Sequence, residues 1–187
     1  MNDVPTSRFH APQHIGILNA LHDYWLSKCG KQGLPSRADL DPADFRYALG
    51  NVSLIDVLGN PVRFRFRVVA SSIEARFDRA LTGTYIHDLP EPDSARLWDK
   101  VYRTVLRTRQ PQSFVTAVVE DEVKRKYRGK IWPLASNHRD IDMLLCCREP
   151  LEDTDRRMPD TPENWRGTDE LGQDEFYPFW IPQSREL

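Results

Sequence analysis

The sequence has no long apolar run, and this absence removes one class of protein. A helix that crosses a bilayer needs about 18 or more consecutive apolar residues, and no such run occurs in the 187-residue chain. Residues 1–14 also lack a basic segment followed by an apolar one, which is the pattern of a secretory signal. We therefore expect a cytoplasmic protein with no membrane partner.

Cysteine and net charge are scarce as well. The three cysteines are Cys29, Cys146 and Cys147, and none of them lies in a C-x-x-C pair. An odd count without that spacing predicts neither a disulfide framework nor a zinc site. We expect no metal and no cysteine chemistry, with Cys146 and Cys147 in a buried strand. The formal net charge of −2 gives no general attraction to nucleic acid.

Common catalytic motifs are missing too. The sequence has no Gly-x-Ser-x-Gly elbow, no glycine-rich phosphate loop and no His-Glu-x-x-His. This favours a protein without catalytic residues, with a small enzyme as one alternative. A nucleic-acid or nucleotide-binding module that uses the basic run Lys124–Lys130 is the other. Because this run follows an acidic triplet, residues 120–122, we expect it to form the solvated edge of a hairpin.

The most informative pattern present is the alternation in residues 63–68. Phe64, Phe66 and Val68 point one way along an extended chain, and Arg63, Arg65 and Arg67 point the other way. A period of two predicts a strand with two different faces. Since short helices are predicted directly after it, we expect a sheet with one face covered by helices, where a cavity can form.

The remaining elements follow from periodicity and from helix signals. Spacings of three and four predict a helix from His14 to Leu26, and Asp41 followed by Pro42 predicts the start of a second one. An apolar stripe predicts a long amphipathic helix over residues 94–109. Predicted strands cover residues 51–58, 62–70, 112–119, 126–135 and 141–147.

These elements suggest one folded region with two flanks. We expect a flexible arm over residues 1–13, a domain over 14–150 and a proline-rich extended tail over 151–187. The aromatic cluster at residues 176–181 is expected to pack on this domain or on a partner.

Several short motifs, taken together, resemble those of a known family. In chain order they are Leu34-Pro35-Ser36-Arg37-Ala38-Asp39 with Asp41-Pro42, Phe64-Arg65-Phe66-Arg67-Val68-Val69, Leu81-Thr82-Gly83, and Leu134-Ala135-Ser136 with Ile141-Asp142-Met143-Leu144-Leu145. From about Ile15 to Cys147 the chain resembles small stand-alone PAS domain proteins of bacteria, mainly alphaproteobacterial. It departs at Ala70-Ser71, where that family has glycine and threonine.

The resemblance implies an α+β fold. The PAS fold has a five-stranded antiparallel sheet in the order 2-1-5-4-3, with helices on one face and, here, an N-terminal helix. It also implies a sensory or regulatory role in cytoplasmic signalling, through a small-molecule ligand or a signalling protein partner. PAS domains commonly pair through N-terminal helices, so residues 15–26 are expected to form a homodimer interface.

The cofactor stays unknown at this point. The flavin-adduct segment Asn-Cys-Arg-Phe-Leu-Gln is absent, and haem needs an axial ligand, for which His87 is the one histidine in the covering segment. By position, the candidates for a ligand pocket are Arg67, His87, Trp98, Tyr102 and Trp132. Core packing is the simpler role for the three aromatic residues, and a surface or capping role is the simpler one for His87.

Arg67 raises a separate question because it lies in a strand with the apolar residues Phe66, Val68 and Val69 beside it. An unpaired buried ion is costly. We therefore expect Arg67 to pair with an acid, and Asp142 and Asp56 are the two candidates.

Overall fold

A computed structural model describes residues 16–31, 33–74, 80–89, 92–120, 123–150 and 178–181. The predicted arm at residues 1–13 and most of the predicted tail at 151–187 lie outside the described residues.

Within these described ranges the chain forms three α-helices and six strands. The α-helices are α1 (Ile17–Lys28), α2 (Ser71–Glu74) and α3 (Pro92–Thr108), and short 3₁₀ helices lie at Arg37–Asp39, Arg46–Asn51 and Ile86–Asp88. The strands are β1 (Val52–Leu58), β2 (Arg63–Val68), β3 (Gln112–Glu120), β4 (Val123–Leu134), β5 (Met143–Pro150) and β6 (Pro178–Ile181).

The strands form one sheet in the order β2-β1-β5-β4-β3-β6. The first five are antiparallel neighbours, which confirms the predicted order 2-1-5-4-3. The sixth strand is an addition: β6 runs parallel to β3, with partners from Val115↔Pro178 to Val118↔Ile181. Part of the aromatic cluster therefore pairs, through its backbone, with the β3 edge of this domain, where a bare edge strand would present unpaired N–H and C=O groups.

Helices cover both faces of the sheet. On the side that we call the α3 face, Ile55 and Leu144 share a buried cluster with Tyr102 of α3. On the opposite side, the α1 face, Leu54 and Leu145 share a second cluster with the α1 residues Leu18, Leu21 and Trp25. Successive side chains of a strand point to opposite faces, so the apolar runs in β1 and β5 require cover on both sides.

A β-bulge interrupts the alternation in β2. Phe64 and Phe66 are buried as predicted, but Val68 is 46% exposed. The partners change from Ile55↔Phe66 to Leu54↔Val68, so β2 has one extra residue at this point. A bulge of this kind shifts the side-chain alternation, which the sequence pattern did not predict.

The prediction of a second helix after Asp41 is wrong. The Asp41 Oδ1 atom accepts a hydrogen bond from the backbone N–H of Ala43 at 2.9 Å, which closes a local turn. The chain then forms the 3₁₀ helix Arg46–Asn51 before it enters β1.

The basic run Lys124–Lys130 is predicted to form a solvated edge, and only its first part, residues 124–126, pairs with β3 without also pairing with β5. It lies in β4, which from Tyr127 onward is paired with β3 on one side and β5 on the other. Among the side chains of this run that the structure describes, Arg128 binds Glu149 with Nη2 2.6 Å from Oε1, so an acid of β5 offsets its charge.

Ser36 and Asp39 form a capping interaction at the 3₁₀ helix Arg37–Asp39. The Ser36 backbone N–H and hydroxyl donate to Asp39 Oδ2 at 2.7 and 2.8 Å, and these bonds lower the pKa of the Asp39 carboxyl. Because the folded pKa lies below the unfolded one, the stabilisation is present above about pH 4 and is lost as the pH falls through the folded pKa.

Replacing Asp39 with asparagine is therefore expected to lower the free energy of unfolding by about 0.5 kcal/mol at neutral pH, a value near the low end for caps. The side chain is 40% exposed, and solvent screens its interactions. Urea unfolding of both proteins at neutral pH and near pH 3 tests this. The difference between them should shrink at the lower pH, and an unchanged difference would contradict the assignment.

Candidate functional site

Two of the predicted pocket residues lie together under α3. Trp98 and Tyr102 are four positions apart, so they share one side of the helix, and their ring centroids are 5.6 Å apart. Tyr102 also contacts Phe64 of β2 at 5.1 Å, and Trp98 contacts Phe114 of β3 at 5.1 Å. A chain of four aromatic rings therefore crosses the α3 face from β2 to β3.

Tyr102 is part of the core at this position. The residue is 2% exposed, and burial raises the pKa of its hydroxyl well above the usual value. The phenol therefore stays protonated at neutral pH, where it cannot act as a base.

Phe114 and Gly129 pack against each other on the α3 face. They are directly paired on β3 and β4. A Cβ atom added at Gly129 would lie 2.1 Å from Phe114 Cζ and 2.6 Å from both Cε atoms. The Phe114 ring therefore lies on the backbone of β4, and Phe114 itself is 0% exposed.

The sequence analysis did not single out this pair. The available signal was Gly129 itself, because an isolated glycine within a strand often marks a close approach of another group.

Trp132 is separated from the other aromatic candidates by the sheet. It is 0% exposed and belongs to the cluster on the α1 face. Its Nε1–H donates a hydrogen bond to His22 Nδ1 of α1 at 3.0 Å. Trp132 thus joins α1 to the sheet, on the opposite side from Trp98 and Tyr102.

The other two candidates, Arg67 and His87, lie at the surface. The Arg67 side chain is 58% exposed, and the His87 side chain is 56% exposed. His87 Nε2 lies 3.3 Å from Asp88 Oδ1, and the His87 ring is 5.3 Å from that of Tyr85. The structure therefore does not bring the five predicted residues into one pocket.

The expected acid partner of Arg67 is Asp56. Arg67 Nη1 lies 3.3 Å from Asp56 Oδ1, and the Asp56 side chain is 6% exposed. Asp142, the other candidate, accepts hydrogen bonds from the Ser136 backbone N–H at 3.1 Å and from the Ser136 hydroxyl. The pairing with Asp56 is confirmed, although the buried member of the pair is the acid.

Asp56 holds a second arginine as well. Arg65 donates to Asp56 Oδ2 from Nη2 at 2.8 Å and from Nε at 3.2 Å. This hydrogen bonding raises the pKa of the Arg65 guanidinium. One buried carboxylate thus fixes the positions of two exposed guanidinium groups.

The cysteines lie in surroundings that disfavour thiolate chemistry. Cys146 and Cys147 are buried in β5, and Cys29 is partly buried. Burial raises the pKa of Cys146 to about 12 and also raises the pKa of Cys147 and of Cys29. The reactive form of cysteine is the thiolate, so these thiols are poor nucleophiles at neutral pH.

The part of the chain that the structure describes has neither a metal-binding group nor a membrane-spanning helix. Within it, no group of three or more His, Cys, Asp or Glu side chains could hold a metal ion. None of its helices has the length and apolar character that are needed to cross a membrane.

The family model of the PAS domain matches residues 15–147. The crystal structure of a sensory box sensor histidine kinase from Vibrio cholerae is similar, with a TM-score of 0.38 and 16% sequence identity, over 54% of this chain and 79% of that chain. No curated protein matches the chain.

Proposed function

The chain belongs to the PAS domain family, and from this premise we propose that it is a regulatory protein of a signalling system. It works by binding a protein partner, and it catalyses no reaction of its own. The observation that carries the choice of partner over ligand is the contact between Phe114 and Gly129. The ring of Phe114 packs on β4 and against Trp98 of α3, on the face where a ligand between sheet and helices would lie.

A small apolar ligand is the second candidate. Trp98 favours it, because this residue is only partly buried and stands beside Tyr102 at the edge of the α3 core. Such a ligand would have to displace the indole of Trp98 or the ring of Phe114.

The proposal excludes catalysis because of the state and placement of the candidate groups. The Tyr102 hydroxyl and the thiols of Cys146 and Cys147 stay protonated at neutral pH, since burial raises the pKa of each. His87 lies in solvent beside Asp88.

The proposal also does not depend on a homodimer through α1. That helix buries Leu18, Leu21 and Trp25 against its own sheet. Leu26 is its one large hydrophobic residue with substantial exposure, at 48%. The apolar face of α1 is thus used within the domain.

Thermal unfolding with added probes tests partner binding against ligand binding. We expect flavin mononucleotide, haem and indole each to leave the midpoint of the wild-type protein unchanged within about 1 °C, because the Phe114 ring already packs between Gly129 and Trp98 on the α3 face. Phe114→Ala serves as the matched control. It removes the ring above Gly129, should lower the midpoint, and should then gain stability with indole, since an apolar cavity binds small apolar molecules.

A rise of several degrees in the wild-type midpoint with any one probe would overturn the partner proposal. It would favour the second candidate, a small-molecule sensor.

A further inference from the structure

The side of β2 opposite to its buried phenylalanines carries arginines, and these belong to neither of the two hydrophobic clusters. Arg63, Arg65 and Arg67 lie along it, and we call these three residues the arginine row. We infer that the arginine row, together with Tyr85, is the docking surface for an extended acidic segment of the protein partner. This inference deepens the proposed function and rests on it.

Among the described residues, the contacts of the arginine row set three guanidinium groups against one carboxylate. Asp56 binds Arg65 and Arg67, so one carboxylate serves two guanidinium groups. Arg63 lies over the ring of Tyr85, with Cζ 4.7 Å from the ring centroid. A cation–π contact orients the guanidinium but leaves its charge in place.

The guanidinium groups are also held in position before any partner arrives. Asp56 fixes Arg65 and Arg67, while Tyr85 supports Arg63. The Arg65 and Arg67 side chains nonetheless remain 39% and 58% exposed, so N–H groups face solvent. Side chains that are already ordered lose less entropy on binding.

The spacing of the row fits an extended peptide. Arg63 and Arg65 precede the β-bulge, so their spacing is that of a regular strand, in which alternate residues are about 6.7 Å apart. Alternate side chains of an extended peptide repeat at the same distance, so two carboxylates on alternate positions can meet these two arginines, and an arginine–carboxylate pair allows a bidentate contact.

Recognition at this surface uses side chains, because the outer backbone edge of β2 is already engaged. The Phe66 backbone N–H donates to Thr84 O at 3.0 Å, and the Gly83 N–H donates to Phe66 O at 2.7 Å. Addition of a partner strand to this part of the edge would break these bonds.

A protein segment fits better than a nucleic acid. Nucleic-acid binding proteins commonly make about 6–10 phosphate contacts, and the row offers three arginines around a carboxylate. The chain as a whole has a formal net charge of −2, which does not attract a long polyanion.

The test uses fluorescence anisotropy with labelled probes and the full chain at low salt. The main probe is a peptide of alternating glutamate and threonine. A peptide of the same composition with all glutamates in one block, and a single-stranded oligothymidylate, are the comparators. The variant is Arg63→Gln/Arg67→Gln, which keeps Arg65 as the partner of Asp56. The control is Arg46→Gln/Arg107→Gln, which removes the same charge from two exposed arginines outside β2.

We expect the alternating peptide to bind more tightly than both comparators. The row variant should lose affinity for it about tenfold, and the control less than about twofold. Equal losses in variant and control, tighter binding of the block peptide or the oligonucleotide, or no binding at low salt would each overturn the inference. These outcomes are independent of the probe experiment on the α3 face, so failure of the inference and failure of the proposed function can be told apart.

Discussion

Replacing Gly129 with alanine is expected to lower the free energy of unfolding by about 3 kcal/mol. The added Cβ would lie 2.1 Å from Phe114 Cζ, a separation that requires the ring or the β4 backbone to move. The ring has little room to move, because Trp98 of α3 packs against it, with the two ring centroids 5.1 Å apart. Urea denaturation followed by circular dichroism measures the loss.

Two further variants make this prediction specific. Gly50→Ala adds the same methyl group where its nearest neighbour would be Ser71 Oγ at 3.8 Å, so it should be close to neutral. Phe114→Leu should remove most of the clash, and adding it to Gly129→Ala should cost less than the sum of the two single changes. Strict additivity of the two losses would contradict the described contact.

Replacing Trp132 with alanine is expected to cost about 3–5 kcal/mol, the usual range for removing a large buried aromatic residue. Trp132 is 0% exposed and lies in the cluster that joins α1 to the sheet. Its loss would leave a cavity beneath α1 and remove the hydrogen bond to His22. The free energy of unfolding again provides the measurement.

His22→Ala provides the matched control for Trp132. It removes the acceptor Nδ1 and the stacked ring but leaves the indole in place, so the expected loss is about 1 kcal/mol. Should Trp132→Ala prove as mild as His22→Ala, the indole would not be a principal core residue. The earlier interpretation of Trp132 as a pocket residue would then regain support.

The sequence predicted the sheet because its signals are local. Phe64 and Phe66 alternate with arginines, and such alternation has one simple structural solution, a strand with one buried face. The long helix α3 could also be predicted from the sequence, since its apolar stripe identifies the side that packs on the sheet. The order of the strands, which the family resemblance supplied, limited the acid partner of Arg67 to Asp56 or Asp142, and the structure shows that it is Asp56.

Other features depend on contacts between distant residues. Trp132 and Trp98 are both apolar positions in their elements, and nothing local indicates that the sheet lies between them. The bulge in β2 appears only in the register, where Val68 lies opposite Leu54. The pairing of residues 178–181 with β3 depends on an edge that the sequence does not display.

The four aromatic rings on the α3 face show most clearly what the sequence alone does not predict. Sequence analysis placed Trp98 and Tyr102 on one helix stripe, which the structure confirms. The third element, the ring of Phe114 above Gly129, required knowledge of which residue of β3 faces which residue of β4. The sequence leaves a small-molecule ligand and a protein partner open, and this one contact favours the partner.

Native mass spectrometry of the purified full-length chain, combined with its absorption spectrum, tests the central claim most directly. If Phe114, packed between Gly129 and Trp98, leaves no room for a ligand, the protein should show the mass of the polypeptide alone. It should also show no absorption in the visible range. A second mass that is lost on denaturation, or a visible absorption band, would reveal a bound ligand and contradict the claim.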